Sequence, residues 1–293
     1  MNISWEDAQT FLAVAERRSF SAAARALEVR QPTISRRIAN LEERLGTQLF
    51  RRGKQGAALT DDGARLLPAA EQMARWAGEF GRLAAGAQEE VAGVVRVAAP
   101  PGLAVAFMAP FAVLARERLP EIRIEVLASI EHVDLSRGAA ELAVRTRSPR
   151  EPELMTMWTG RVELGVFASP DYVATLPEHP TPAQVDWITW AFPYLHLEPR
   201  PFLERLVPDF APVFASDDFL VQKSAVIHGV GAMILERTSH PLARNLGLVE
   251  IDLGLNFPGG ELHLVCAKSM QYVPRVRAVA DMLTEQLQYL SNH

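Results

Sequence analysis

The clearest periodic signal in the chain lies between Ser19 and Leu49. Ile34, Ile38, Leu41 and Leu45 recur at spacings of 4, 3 and 4, one stripe of a helix opened by Gln31-Pro32-Thr33 and closed by Gly46. Ahead of it, Ser21 as N-cap and the run Ala22, Ala23, Ala24, Arg25, Ala26, Leu27 predict a short helix, followed by a turn through Glu28-Val29-Arg30. Further on, Leu66, Ala70, Met73, Ala77, Phe80, Ala84 and Ala87 recur at 4, 3, 4, 3, 4, 3, a heptad-like seam that predicts a helix from Asp62 to about Gln88 packing against another helix.

From Gly93 the pattern changes to short apolar runs alternating with helical ones. Val94–Ala98, Ile122–Ala128 and Leu142–Thr146 read as strands, with helices at about Val105–Arg118 and near His132–Gly138. A second set of strands follows at Glu163–Ala168, Ile188–Phe192, Pro212–Ala215, Gly231–Leu235, Leu248–Asp252 and Glu261–Ala267. Helices Asp217–His228 and Val273–Leu290 complete it. Such alternation predicts a parallel sheet with crossover helices.

The helix beginning at Gln31 has an apolar back and leaves Gln31, Thr33, Ser35, Arg36 and Arg37 near its N-terminal end. These residue types suit the major groove, where Gln and Arg pair bidentately with adenine and guanine edges. From Arg30 to Lys54 there are seven Lys/Arg against Glu42 and Glu43, a local balance of +5 within a chain of net charge −5. Residues 1–65 carry 11 bases and 8 acids, leaving 19 and 27 for residues 66–293, so positive charge is concentrated where phosphates would lie.

The remaining composition narrows the function classes. At 293 residues, 48% hydrophobic and 22% charged, two or three soluble domains are expected. Cys266 is the single cysteine and forms no intrachain disulfide, which fits a reducing cytoplasm and a structural thiol. No basic-then-apolar leader and no apolar run of about 18 residues is present, so neither secretion nor membrane spanning is expected. The seven histidines show no H-x-x-x-H spacing, no Gly-rich phosphate loop occurs, and G-x-S-x-G is absent. Neither a metal, a cofactor nor an enzymatic activity is therefore expected.

With FLAVAERRSFSAAARALEVRQPTISRRIANLEERLGTQLFRR followed by LTDDG, Phe11 to Gly63 resembles the winged helix-turn-helix domain of LysR-type transcriptional regulators. The resemblance implies an α+β multidomain fold with three parts. These are a winged helix-turn-helix (1–62), a long linker helix that pairs two subunits (63–89), and a two-lobed α/β periplasmic-binding-protein-like effector domain (90–293). Lobe I is expected at 90–160 plus 266–293 and lobe II at 161–265. Leu49-Phe50-Arg51-Arg52 and Leu59-Thr60 would be the wing strands, Gly53, Gln55 and Gly56 the tip, and Phe50 the wing's anchor.

In that reading DNA is met by Ser19, Ser21, Arg30, Gln31, Pro32, Thr33, Ser35, Arg36 and Arg37, and from the wing by Arg51, Arg52 and Lys54. The effector cleft would be lined by Pro100, Pro101 and Gly102, by Ser129, by Arg145-Thr146, and in lobe II by His196 and Ser216. Many relatives carry a Ser or Thr in the turn after the first strand, whereas this chain has prolines and a glycine. The expected effector is thus either less anionic or gripped by Arg145 and backbone N–H groups. The aromatic and proline run Trp187–Pro201 either shapes the pocket or packs the second lobe.

The expected partners are double-stranded promoter DNA, a small-molecule effector, a homodimer or homotetramer of the chain itself, and RNA polymerase as a further candidate. A sensor-less architectural DNA binder is the alternative. A ligand-binding protein or enzyme with a vestigial N-terminus is a third reading, against which the intact Gln31–Arg37 surface speaks.

Overall fold

A computed structural model describes residues 3–53, 56–84, 91–237, 247–255, 257 and 259–291. The chain divides into two units, Met1–Glu90 with Arg137–Ala139, and Val91–Ser136 with Ala140–His293.

In the first unit, helix α1 (Trp5–Arg17) is opened by a reciprocal capping box between Ser4 and Asp7. Helix α2 (Phe20–Ala26) is capped by Ser19, whose hydroxyl accepts the Ala22 N–H at 3.3 Å. The expected cap, Ser21, lies inside the first turn. Ser19 takes that role because it has the extended backbone a cap requires.

Helix α3 (Gln31–Leu45) ends at Gly46, in the left-handed region at φ 68° as expected of a C-cap. A two-stranded wing follows, β1 (Phe50–Gly53) antiparallel to β2 (Gly56–Leu59), then helix α4 (Asp61–Ala84). Ile34, Ile38 and Leu41 are buried with Phe11, Val14, Leu49 and Phe50 in one core.

The seam of α4 is divided. Leu66, Ala70 and Met73 pack on the core of their own unit against α1, while Phe80 is 74% exposed. Ala87 lies outside the described residues.

In the second unit, β3 (Gly93–Ala99) leads into a helical run made of α5 (Pro101–Leu103), a π-turn over Ala104–Met108, and α6 (Ala109–Arg118). Strands β4 (Ile122–Ala128) and β5 (Leu142–Arg145) both pair parallel with β3. No helix forms at 132–138. Asp134 instead accepts the N–H and hydroxyl of Ser136, at 3.0 and 2.6 Å, a local turn that competes with helix.

The long strand β6 (Leu154–Ala168) precedes α7 (Pro170–Val173), β7 (Ile188–Trp190), α8 (Arg200–Leu206), β8 (Phe214–Ser216) and α9 (Phe219–Ile227). Then come β9 (Met233–Arg237), β10 (Val249–Ile251), β11 (Gly260–Ala267) and α10 (Pro274–Ser291).

The sheet is mixed rather than parallel. Strand β11 is antiparallel to β5 and to the first half of β6, whose second half pairs antiparallel with β9 and β10. Parallel pairing is kept at β3–β4, β3–β5 and β7–β8. The shared strand β6 thus runs from one group of strands into the other. Its buried residues change along its length, from Leu154 at the start to Val166, Phe167 and Ala168 at the end. Among the described residues no helix is long and apolar enough to cross a membrane.

Candidate functional site

The exposed side of α3 follows from its buried side. With Ile34 and Ile38 fully sequestered, Arg30, Gln31, Pro32 and Arg36 are exposed, and Thr33, Ser35 and Arg37 are half-buried. Gln31 donates from Nε2 to Ser35 Oγ at 3.0 Å, and Arg37 reaches Glu6 of α1 at 3.4 Å. Among the described residues Arg36 makes no such pairing, and Pro32 at the helix start removes an N–H that would otherwise be unpaired. Ser19 is engaged in its cap and Ser21 is exposed.

On the wing Arg51 is exposed, and Arg52 stands opposite Ala57 in the ladder. Lys54 and Gln55 lie outside the described residues. Phe50 is buried against Phe11 and Phe20, with ring centroids 5.4 and 6.0 Å away, so it anchors the wing to the core. Its backbone is held by a residue the sequence reading counted only as a charge. Glu42 Oε1 accepts the N–H of Leu49 at 2.7 Å and of Phe50 at 3.2 Å.

The second unit contains a cavity of about 890 Å³. The expected residues Pro100, Pro101, Gly102, Thr146 and His196 line it, and the run from Ile188 to Pro199 contributes Trp190, Tyr194 and Glu198. Trp190 and Tyr194 meet edge to face at 5.9 Å, and Phe202 and Phe257 are tilted at 5.4 Å. The ring of Phe219, first residue of α9, lies over Gly102, where an added Cβ would sit 3.0 Å from its Cζ.

Three expected cleft residues are not among those lining the cavity. Arg145 is 3% exposed, donating from Nη2 to the Val133 carbonyl at 2.9 Å and from Nη1 to Glu151 at 3.2 Å. Ser129 turns its hydroxyl to the Glu131 carbonyl at 2.8 Å, so Ile130, Glu131 and His132 reach the cavity instead. Ser216 accepts the Asp218 N–H at 3.1 Å, and beyond it Phe219 and Gln222 form the wall. The N-cap at Asp218 was the available signal, since a helix starting just after a strand directs its first residues to that strand's end.

The cavity's charge is also set locally. Arg147 is the one Lys or Arg lining it among the described residues, against Glu131, Glu198, Glu236 and Glu261. Burial, reinforced by Arg145, lowers the pKa of His132 from its ordinary value and so favours the neutral ring. No group of three His, Cys, Asp or Glu among the described residues is placed to hold a metal ion.

A helix-turn-helix with a wing, joined in sequence to an α/β unit that encloses a ligand-sized cavity, defines the class of DNA-binding regulators that carry a ligand-binding domain. Residues 5–64 match the family described as "Bacterial regulatory helix-turn-helix protein, lysR family" and residues 88–288 the "LysR substrate binding domain". The chain belongs to the LysR family and is a DNA-binding transcriptional regulator with an effector-binding domain.

It is 30% identical to the HTH-type transcriptional regulator PtxR of Pseudomonas aeruginosa, over 94% of this chain and 91% of that one. It is 27% identical to an HTH-type transcriptional regulator of Xanthomonas campestris pv. campestris, over 97% and 85%. The solved structure of full-length CbnR complexed with its target DNA superposes with a TM-score of 0.61 at 18% identity, covering 98% of this chain and all of that one.

Proposed function

We propose that the protein binds a two-fold-related promoter site as a homodimer or homotetramer, and that a small molecule in the cavity of the second unit modulates that binding. The observation that carries this reading is the α3 face. Arg30, Gln31 and Arg36 are exposed on a helix whose other side buries Ile34, Ile38 and Leu41, as base readout requires.

DNA contact falls to Gln31, Thr33, Ser35, Arg36 and Arg37 for bases, to Arg51, Arg52 and Lys54 for the backbone or minor groove, and to Ser19, Ser21, Arg30 and Pro32 around them. The domain extents follow as 1–62, 63–89 and 90–293, with lobe I at 90–160 plus 266–293 and lobe II at 161–265. Exposed Phe80 on α4 supports pairing between subunits. Ligand binding would act by population shift, favouring one arrangement of the α/β lobes and through subunit packing the spacing of the DNA-binding domains. Its place is the cytoplasm, with RNA polymerase as a further partner, and it performs no catalysis.

Footprinting of the purified protein on the DNA beside its own gene, with and without small molecules, tests this. A discrete protected stretch that shortens or shifts with one compound is expected. Uniform, salt-sensitive binding to any duplex would instead assign an architectural role.

A further inference from the structure

The geometry points to an effector that is an aromatic amine: a flat ring system bearing a cationic nitrogen and no carboxylate. This rests on the reading of the cavity as the effector site and names the chemistry it would select.

Several of the groups expected to hold an anion in the cleft are spent or missing, although Thr146 still lines it. Pro100 and Pro101 have neither a hydroxyl nor a backbone N–H to donate. At Gly102 the space a side-chain hydroxyl would occupy is covered by the Phe219 ring, whose three nearest carbons stand 3.0 to 3.4 Å from an added Cβ. Arg145 is buried and committed to the Val133 carbonyl and Glu151. Burial disfavours the charged form of His132.

What remains favours a cation on an aromatic frame. Among the described residues four carboxylates and one guanidinium line the cavity, so its field attracts positive charge. Three of these carboxylates already have partners, Glu198 with Arg205 3.5 Å away, Glu261 with the His263 ring at 3.5 Å, and Glu236 with a contact of its own. The lining also includes Trp190, Tyr194, Phe202 and Phe257, aromatic side chains of the kind that pack on an arene and on its ammonium group. At about 890 Å³ the space is large enough for a two-ring molecule.

The test is calorimetry of the full-length protein with three probes of the same shape: 2-(1-naphthyl)ethylamine, 2-(1-naphthyl)ethanol and 3-(1-naphthyl)propionate. The amine should bind at least tenfold more tightly than the carboxylate, with the alcohol between them. Replacing both Glu236→Gln and Glu261→Gln should bring the amine-to-carboxylate ratio close to one while leaving the alcohol's affinity unchanged. A carboxylate that binds as tightly as the amine, or no binding by any probe at 10 mM, overturns the proposal.

Footprinting with the same probes separates this outcome from that of the function proposed above. An amine that binds without changing the footprint refutes modulation through the cavity and leaves its ligand chemistry standing. A carboxylate that binds best and shifts the footprint does the reverse.

Discussion

One carboxylate oxygen of Glu42 accepts the backbone N–H of Leu49 at 2.7 Å, and the same atom takes that of Phe50 at 3.2 Å. The contact ties α3 to the first strand of the wing, so two elements placed to meet DNA share one anchor. Glu42→Ala leaves the N–H donors of two buried residues unpaired. It should cost about 1–3 kcal/mol of stability, read as a lower denaturation midpoint of the first unit. Glu42→Gln keeps an acceptor oxygen and should recover at least half of that loss. Equal midpoints for wild type and Glu42→Ala would show that the anchor is dispensable.

The start of α1 should be acid-sensitive. Burial raises the Asp7 carboxyl, but Arg44, 2.7 Å away, and the N–H and hydroxyl of Ser4 outweigh it and hold the pKa below 3.8. A carboxyl depressed in the folded state contributes stability that is complete above its unfolded value. That contribution is lost as pH falls through the folded one. Stability of the wild type should therefore drop below about pH 4 relative to neutral pH, whereas Asp7→Asn, already weaker at pH 7, should show a shallower drop. Parallel pH profiles for the two proteins, from urea unfolding, would contradict the assignment.

How much of this was legible in the sequence depended on whether one face of one element carried the information. The stripe Ile34, Ile38, Leu41 defines α3 and its exposed side without reference to anything distant, and the burial agrees. Phe50 as wing anchor was expected from the family resemblance, and its burial against Phe11 and Phe20 agrees. The seam of α4 was periodic too, but periodicity does not say which partner it meets. Leu66 and Met73 turn to their own core, while Phe80 further along is exposed.

The sheet was read as parallel because alternating runs suggest crossovers. The pairing of Leu262 with Gly160 and of Leu264 with Trp158 is antiparallel across about a hundred residues, and no local pattern announces it. The cavity depends on such distant pairings. Phe219 over Gly102 could not be foreseen from either residue alone.

Arg145 should prove to be a strut. Its guanidinium spans the Val133 carbonyl and Glu151, and burial leaves it no alternative partner in solvent. Arg145→Met should lower the stability of the second unit by roughly 2 kcal/mol, because a charge-assisted bond to a carbonyl is lost within the fold. Glu151→Gln should cost less than about 1 kcal/mol, since that side chain is half-exposed. Ligand affinity, measured on whatever fraction remains folded, should be unchanged in both. A selective loss of affinity without loss of stability in Arg145→Met would return the residue to the cleft.

Cys266 lies on β11 with no exposed surface, and burial, with a smaller effect from Glu141, pushes its thiol up to about 12 from an ordinary 9.0. A thiol so placed is neither nucleophilic nor accessible at neutral pH. A disulfide reagent such as Ellman's should leave the native protein unlabelled over hours at pH 8 and react fully once the chain is unfolded in guanidinium. The same shift has a signature in stability. A group whose folded pKa is raised contributes fully below its unfolded value, and that contribution is lost as pH rises from about 9 to about 12. Wild type should therefore lose stability faster than Cys266→Ala over pH 9 to 11, although the alanine variant starts lower because it leaves a small void in the sheet's core. Prompt stoichiometric labelling of the native protein would show that β11 opens far more readily than its burial implies.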